Sequence, residues 1–155
     1  LAQLVNVIAP IMTNAQGLFR QTIYYPYSLA LQFARGEVLD LLVESATYNV
    51  AGLGEARYLD VAGTRNAEDG SVTLFILNRD LAKPRAIEVV WEGAAPARVL
   101  AAQVLTGDDL KASNSFAEPN RVAPRDFERS AFTTAAGRSK FEVPARSYTV
   151  VQWAG

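Results

Sequence analysis

The opening stretch, LAQLVNVIAPIMT, constrains the fold more than any other part of the chain. Leu4, Val5, Val7, Ile8, Ile11 and Met12 crowd together, and no charge occurs before Arg20. The run is short, rich in β-branched residues and without clean alternation, which predicts a strand over residues 4–13 covered on both faces, as in a parallel sheet. A polar stretch, NAQGLFRQ, follows. Residues 26–35 then read as a helix. Pro26 suits its first turn, Leu29 and Phe33 stand four apart, and Gly36 sits where a C-terminal cap belongs. Strand, loop and helix make one β/α unit, and such a unit cannot stand alone. A strand buried on both faces needs neighbours on both edges, and its helix needs a sheet to lie on.

At about ten residues the apolar run is too short to span a bilayer. It lacks the basic start of a secretion signal, and Gln3, Asn6, Thr13 and Asn14 interrupt it. The chain begins with Leu rather than Met, so the expectation is an N-terminally truncated fragment, with a cleaved leader as the alternative.

From Glu37 the pattern changes to short strands separated by turn signals. Leu39, Leu41 and Val43 alternate with Asp40, Leu42 and Glu44. Arg57 to Ala62 and Ser71 to Asn78 predict a hairpin around Glu68-Asp69-Gly70. Ile87, Val89 and Trp91 share a strand face, and Arg98 to Leu105 form another strand. After a long polar stretch, Phe141 to Val143 and Ser147 to Trp153 predict a closing hairpin around Pro144-Ala145-Arg146. Strands with no helix between them predict an antiparallel β-sandwich. The organisation expected is therefore residues 1–36 as a strand-loop-helix unit of a larger α/β structure and residues 37–155 as a β-sandwich domain.

Composition removes several kinds of chemistry. The net charge of −1 gives no basic excess for nucleic acid or an anionic membrane surface, so neither is expected as a partner. With no cysteine there is no thiolate nucleophile and no disulfide framework, although the compartment stays open. With no histidine there is no Ser-His-Asp triad and no common zinc site, and no metal or other cofactor is expected.

Three stretches carry a family resemblance: LVNVIAPIMT followed by RQTIYYP, LFILNRD, and LTGDDLKASNSFAEPNRVAP. Together they resemble the C-terminal part of the α-L-arabinofuranosidases of glycoside hydrolase family 51, in which a (β/α)8 barrel precedes a β-sandwich. On that resemblance residues 4–13 correspond to the eighth barrel strand, residues 26–35 to the eighth helix, and residues 37–155 to the C-terminal sandwich. The family implies hydrolysis of arabinofuranosides with retention, by two glutamates whose carboxyls stand about 5–5.5 Å apart. Both belong to barrel strands that would precede Leu1. No acidic residue occurs before Glu37, so this chain is expected to hold no catalytic residue and to be inert by itself. Its partners would be an upstream barrel of the same polypeptide and, through it, an arabinose-containing polysaccharide or oligosaccharide.

Ligands of such barrels bind at the C-terminal ends of the strands. That rule puts Thr13, Asn14, Arg20, Gln21 and Tyr24 near the sugar pocket of an intact enzyme. The competing reading is that Arg20 and Gln21 only brace the loop, and that the aromatics at the loop-to-helix junction, Tyr24, Tyr25 and Tyr27, mainly pack. Asn6, inside the strand, is expected to satisfy neighbouring polar groups. Asp108 and Asp109 read as turn formers rather than metal ligands. Trp91, Trp153 and Tyr148 read as core with their polar tips partnered. Two alternatives of a different kind are an autonomous carbohydrate-binding sandwich, which would expose a flat row of aromatics, and an immunoglobulin-like interaction domain. An orphaned residue 1–36 unit would also leave apolar surface open to self-association.

Overall fold

The structure, a computed structural model, describes residues 3–155. A short antiparallel hairpin, β1 (Ile11–Asn14) and β2 (Gly17–Arg20), leads into the helix α1 (Tyr24–Phe33). Eleven strands of a sandwich domain follow in two main sheets and one small hairpin. The larger sheet has six antiparallel strands, in the order β10 (Arg125–Asp126), β9 (Val99–Thr106), β13 (Ser147–Trp153), β7 (Val72–Asn78), β6 (Leu59–Arg65) and β3 (Glu37–Val38). The smaller has three, β11 (Thr133–Ala135), β12 (Arg138–Val143) and β8 (Arg85–Val90). Strands β4 (Thr47–Val50) and β5 (Gly54–Arg57) pair only with each other. The mainly β architecture is the antiparallel sandwich that the strand pattern predicts.

The molecule has three layers, and the central one explains the sequence. One face of the six-stranded sheet packs Leu74, Ile76, Ala102, Val151 and Trp153 against Phe141 and Val143 of the smaller sheet. The opposite face packs Phe75 and Val150 against Leu29 and Phe33 of α1. Strands β7 and β13 are therefore covered on both sides, which is why VTLFILN and SYTVVQW read as nearly continuous apolar runs. Strand β12 lies in an outer layer and alternates: Ser139, Phe141 and Val143 are buried, Arg138, Lys140 and Glu142 exposed. Glu88 on β8 accepts from both Arg138 and Lys140 on that exposed face.

Three sequence expectations meet corrections. The extended strand over residues 4–13 is confined to β1, which turns back on itself through Asn14 to Gly17 instead of joining a parallel sheet. Its only parallel pairing is an isolated bridge between Val5 and Ile11. The physical reason is the one that made the unit look orphaned. The strands of the described chain are spent in antiparallel ladders, and none outside the β1–β2 hairpin flanks residues 4–13. Leu4, Val7 and Ile8 are left 63%, 74% and 73% exposed. Second, β12 and β13 do not form a hairpin. β12 pairs with β8 and β11, whereas β13 pairs with β7 and β9, so Pro144-Ala145-Arg146 carries the chain from one sheet to the other. Third, residues 39–43 keep their alternation, with Leu39, Leu41 and Val43 half-buried and Asp40, Leu42 and Glu44 exposed, but the ladder to β6 ends at Leu39. Alternation records which face is covered, not whether the backbone has a neighbour.

The turn between β6 and β7 is as expected. Asn66 accepts from the Glu68 amide, Asp69 accepts from the Ser71 amide, and Gly70 supplies a positive φ of 71°. The sheet crossing is held by Asn78, 1% exposed at the end of β7. Its Nδ2 donates to the Pro144 carbonyl at 2.8 Å, with longer contacts to Lys83 and Val143, and its Oδ1 accepts from the Asp80 amide at 2.9 Å. Asp80 in turn accepts from the amides of Ala82 and Lys83 and from Arg85. The LNRD tetrad thus ties the β7–β8 turn to the β12–β13 crossing.

Candidate functional site

The five residues singled out around the first turn lie on one ribbon, the β1–β2 hairpin and its entry into α1. Thr13 stands on β1, where its amide donates to Asn6 Oδ1 at 2.7 Å and its Oγ1 accepts from Asn6 Nδ2 at 2.9 Å. Asn6 adopts a φ of 60°, a conformation that asparagine tolerates better than most side chains. It satisfies neighbouring polar groups, as expected, but from a turn rather than from inside a strand. Asn14 closes the hairpin, its Oδ1 accepting from the amides of Gln16 and Gly17. Gln21 braces the base of the ribbon: its amide donates to the Pro10 carbonyl and its Nε2 to the Ala9 carbonyl, both at 2.8 Å. The Arg20 guanidinium lies over the Tyr24 ring, 5.2 Å from the centroid. Tyr24 meets Tyr25 edge-on at 5.7 Å.

Arg20, Tyr24 and Tyr25 form one wall of a shallow groove of about 340 Å³, whose other wall is Gln103 on β9 and Asn120 and Pro124 of the long loop. Thr13, Asn14 and Gln21 are not among its lining residues. The structure therefore brings Arg20 and Tyr24 together and sets the other three along the ribbon beside them. This ribbon holds no carboxylate to act as general acid, base or nucleophile, since the first acidic residue is Glu37, beyond the helix. What the ribbon offers is hydrogen-bond donors, a cation and an aromatic face.

The loop between β9 and β10 supplies a residue that sequence reasoning missed. Asn114, 6% exposed, donates from Nδ2 to the carbonyls of Arg20 and Val122, both at 2.8 Å, and approaches the Tyr25 hydroxyl at 3.4 Å. Its Oδ1 accepts from the Val122 amide at 2.7 Å. Phe116 of the same loop meets Phe19 of β2 edge-on at 4.8 Å. In the sequence this asparagine is one polar residue among many in SNSFAEPN, and only its burial distinguishes it.

The other candidates resolve as structure. Asp109 accepts from the Lys111 amide, as a turn former does. Among the described residues no cluster of three or more potential metal-ligating side chains is present. Trp153 is fully buried and meets Trp91 edge-on at 5.4 Å. The Trp91 indole donates to Ser139 as expected, but the Trp153 indole nitrogen has no partner. Tyr148 is half-buried, and burial pushes its phenol pKa up. The carboxyls held below the usual range are Asp80, by the Ala82 amide first and then by the Lys83 amide and the Arg85 guanidinium against the cost of burial, and Asp69, by Ser71. Both sit at turns of the sandwich. Among the described residues Tyr27 and Phe116 are the only exposed aromatics, and Phe116 is spent on Phe19, so no flat row of them faces solvent. No helix among the described residues is long and apolar enough to cross a membrane.

Comparison with known proteins matches the geometry. The family model for the alpha-L-arabinofuranosidase C-terminal domain covers residues 1–147. An intracellular exo-alpha-(1->5)-L-arabinofuranosidase of Streptomyces lividans is 45% identical over 125 residues, spanning 80% of this chain and 19% of the relative. An exo-alpha-(1->6)-L-arabinofuranosidase of Bifidobacterium longum is 35% identical over 97% of this chain and 29% of its own length. A solved family 51 alpha-L-arabinofuranosidase from Bifidobacterium longum superposes with a TM-score of 0.87 at 31% identity, over 98% of this chain and 30% of that one. The chain thus spans less than a third of each of these relatives.

Proposed function

The chain belongs to the alpha-L-arabinofuranosidase C-terminal domain family, and from that premise we propose that it works as the non-catalytic C-terminal part of a retaining α-L-arabinofuranosidase. Residues 1–36 are, in this reading, the last β/α unit of a catalytic barrel and residues 37–155 the sandwich that braces it. The substrate is an arabinose-containing polysaccharide or oligosaccharide, and the reacting glutamates belong to the barrel. Thr13, Asn14, Arg20, Gln21 and Tyr24 line the approach to the sugar site, where their donors and the Tyr24 ring suit hydroxyls and a sugar face.

The observation that carries the proposal is a helix with apolar residues on two sides, its polar positions being Ser28 and Gln32. Tyr25, Leu29 and Phe33 are buried on the sandwich side. On other positions of the same helix and its entry, Ile23, Tyr27 and Leu31 recur every four residues and are 49%, 46% and 73% exposed. A surface helix normally carries one apolar stripe. A second stripe, in a chain that also leaves Leu4, Val7 and Ile8 exposed, is what a helix would carry if barrel neighbours packed on its far side. The same neighbours would supply strand edges to residues 4–13. In isolation this surface is open to self-association.

The test compares the full-length polypeptide with the 155-residue chain on an aryl arabinofuranoside. Release of arabinose by the full-length protein alone supports the proposal, and cleavage by the short chain overturns it. Leu31→Asp separates the two faces. It should leave the short chain's melting temperature within a few degrees and strongly destabilise the full-length protein. Equal effects on both would count against a barrel seated on that stripe.

A further inference from the structure

The N-terminal hairpin and α1 are held to the sandwich by different means. The helix is held by apolar burial, with Leu29 and Phe33 against Phe75 and Val150. The hairpin has no comparable core: Leu18 is 57% exposed, and Thr13 through Leu18 are all exposed. The hydrogen bond and the aromatic contact that join β2 to the sandwich domain both come from the loop of residues 107–124, through Asn114 and Phe116. Asn114 is built for this. An asparagine side chain offers two donor hydrogens and one acceptor oxygen. Here the donors take one carbonyl of the hairpin, Arg20, and one of the loop, Val122, while the oxygen takes the Val122 amide. The two bonds to Val122 lock the side chain, and the remaining donor is aimed at Arg20.

We propose that Asn114 is a positioning residue, the pin by which the 107–124 loop sets where Arg20 and the β1–β2 hairpin stand. Its nitrogen also approaches the Tyr25 hydroxyl of α1 at 3.4 Å, but the helix is held chiefly by the apolar packing of Leu29 and Phe33, which the hairpin lacks. That this placement matters to sugar binding rests on the proposed function above. The pin itself does not.

Hydrogen exchange on the 155-residue chain tests the pin without any enzymatic readout. Asn114→Asp keeps the acceptor for the Val122 amide and loses both donors. Phe116→Ala removes the aromatic contact from an exposed position, so it leaves the core intact. Asn114→Asp is expected to speed exchange of the amides across residues 11–20 about tenfold or more, with those of β7 and β13 unchanged. Phe116→Ala should give a smaller acceleration at the same amides. Unchanged hairpin exchange in both variants overturns the proposal, and so does acceleration spread equally over β7 and β13, because the asparagine would then be a general stabiliser. In the full-length protein Asn114→Asp is expected to raise KM several-fold with kcat within about twofold. If hairpin exchange quickens and KM does not move, the pin stands and the placement of the hairpin beside the sugar fails.

Discussion

Replacing Asn78 tests the sheet crossing that distinguishes this sandwich from the simpler hairpin its sequence suggests. The side chain is 1% exposed and makes two well-formed bonds, to the Pro144 carbonyl at 2.8 Å and from the Asp80 amide at 2.9 Å. Two further contacts, to Lys83 and Val143 at 3.3 and 3.4 Å, are long. Asn78→Ala gives up about 1 kcal/mol for each good bond and leaves a buried carbonyl and amide unpaired, for a total of about 3 kcal/mol. In a domain of this size that lowers Tm by roughly 6–12 °C. Asn78→Asp retains the acceptor but turns a carboxylate toward the Pro144 and Val143 carbonyls, so its loss should equal or exceed that of alanine. Urea unfolding at neutral pH, followed by tryptophan fluorescence, measures both. An unchanged m-value confirms that the folded state is shifted rather than replaced. Asn49→Ala, on the exposed face of β4, serves as the control and should cost under about 0.5 kcal/mol. A loss below about 1 kcal/mol for Asn78→Ala, or an aspartate milder than the alanine, would refute the claim that this residue ties the two sheets together.

Gly36→Ala should destabilise by on the order of 2 kcal/mol or more, because Gly36 has a φ of 81° and an added Cβ would stand 2.1 Å from the Arg65 carbonyl oxygen. Gly52→Ala shares the positive φ but meets nothing within 4 Å, so calorimetry should show the smaller loss there. Phe33→Ala, which empties the contact between α1 and the central sheet, should cost about 3–5 kcal/mol in chemical denaturation. Asp80 is held ionised below its ordinary value by the Ala82 and Lys83 amides and Arg85, so the unfolded chain takes up the proton first as pH falls. Its contribution is therefore complete above the ordinary carboxylate value of 3.8 and is lost as pH drops through the depressed folded value. Asp80→Asn should flatten the acid limb of a plot of urea midpoint against pH below about pH 4, and an unaltered limb would contradict the assignment.

The parts of this fold that the sequence made legible are those where one covered face dictates residue choice. The alternation of β8 and β12, the helix with Leu29 and Phe33 at a spacing of four, and the Glu68-Asp69-Gly70 turn all follow from local rules. What failed depends on partners distant in the chain. Two adjacent apolar strands with a proline turn between them look like a hairpin, yet β13 takes its neighbours from β7 and β9 because its two buried faces require the central layer. Residues 4–13 have the composition of a doubly covered strand, yet Leu4, Val7 and Ile8 stand exposed, because composition does not say which partners are present. At the candidate site, Arg20 and Tyr24 could be associated by proximity in sequence. Asn114, 94 residues from Arg20, could not, since a lone asparagine in a polar loop carries no periodic signal.

The unequal anchoring of helix and hairpin has a mechanical consequence. α1 shares a core with Phe75 and Val150, at the centre of the six-stranded sheet, so displacing it uncovers several large side chains together. A load applied to its exposed stripe at Ile23, Tyr27 and Leu31 is therefore passed directly into the sandwich. The hairpin is joined by one buried amide and one aromatic edge, so it can shift at a small fraction of that cost. A body that packs on α1 is thus held rigidly to the sandwich, while the ribbon carrying Thr13, Asn14, Arg20 and Gln21 stays adjustable through a loop that belongs to the sandwich itself. Rigid attachment at the helix together with an adjustable ribbon is the division of labour that the brace proposed above would need. A free-standing module would have no use for the first half of it.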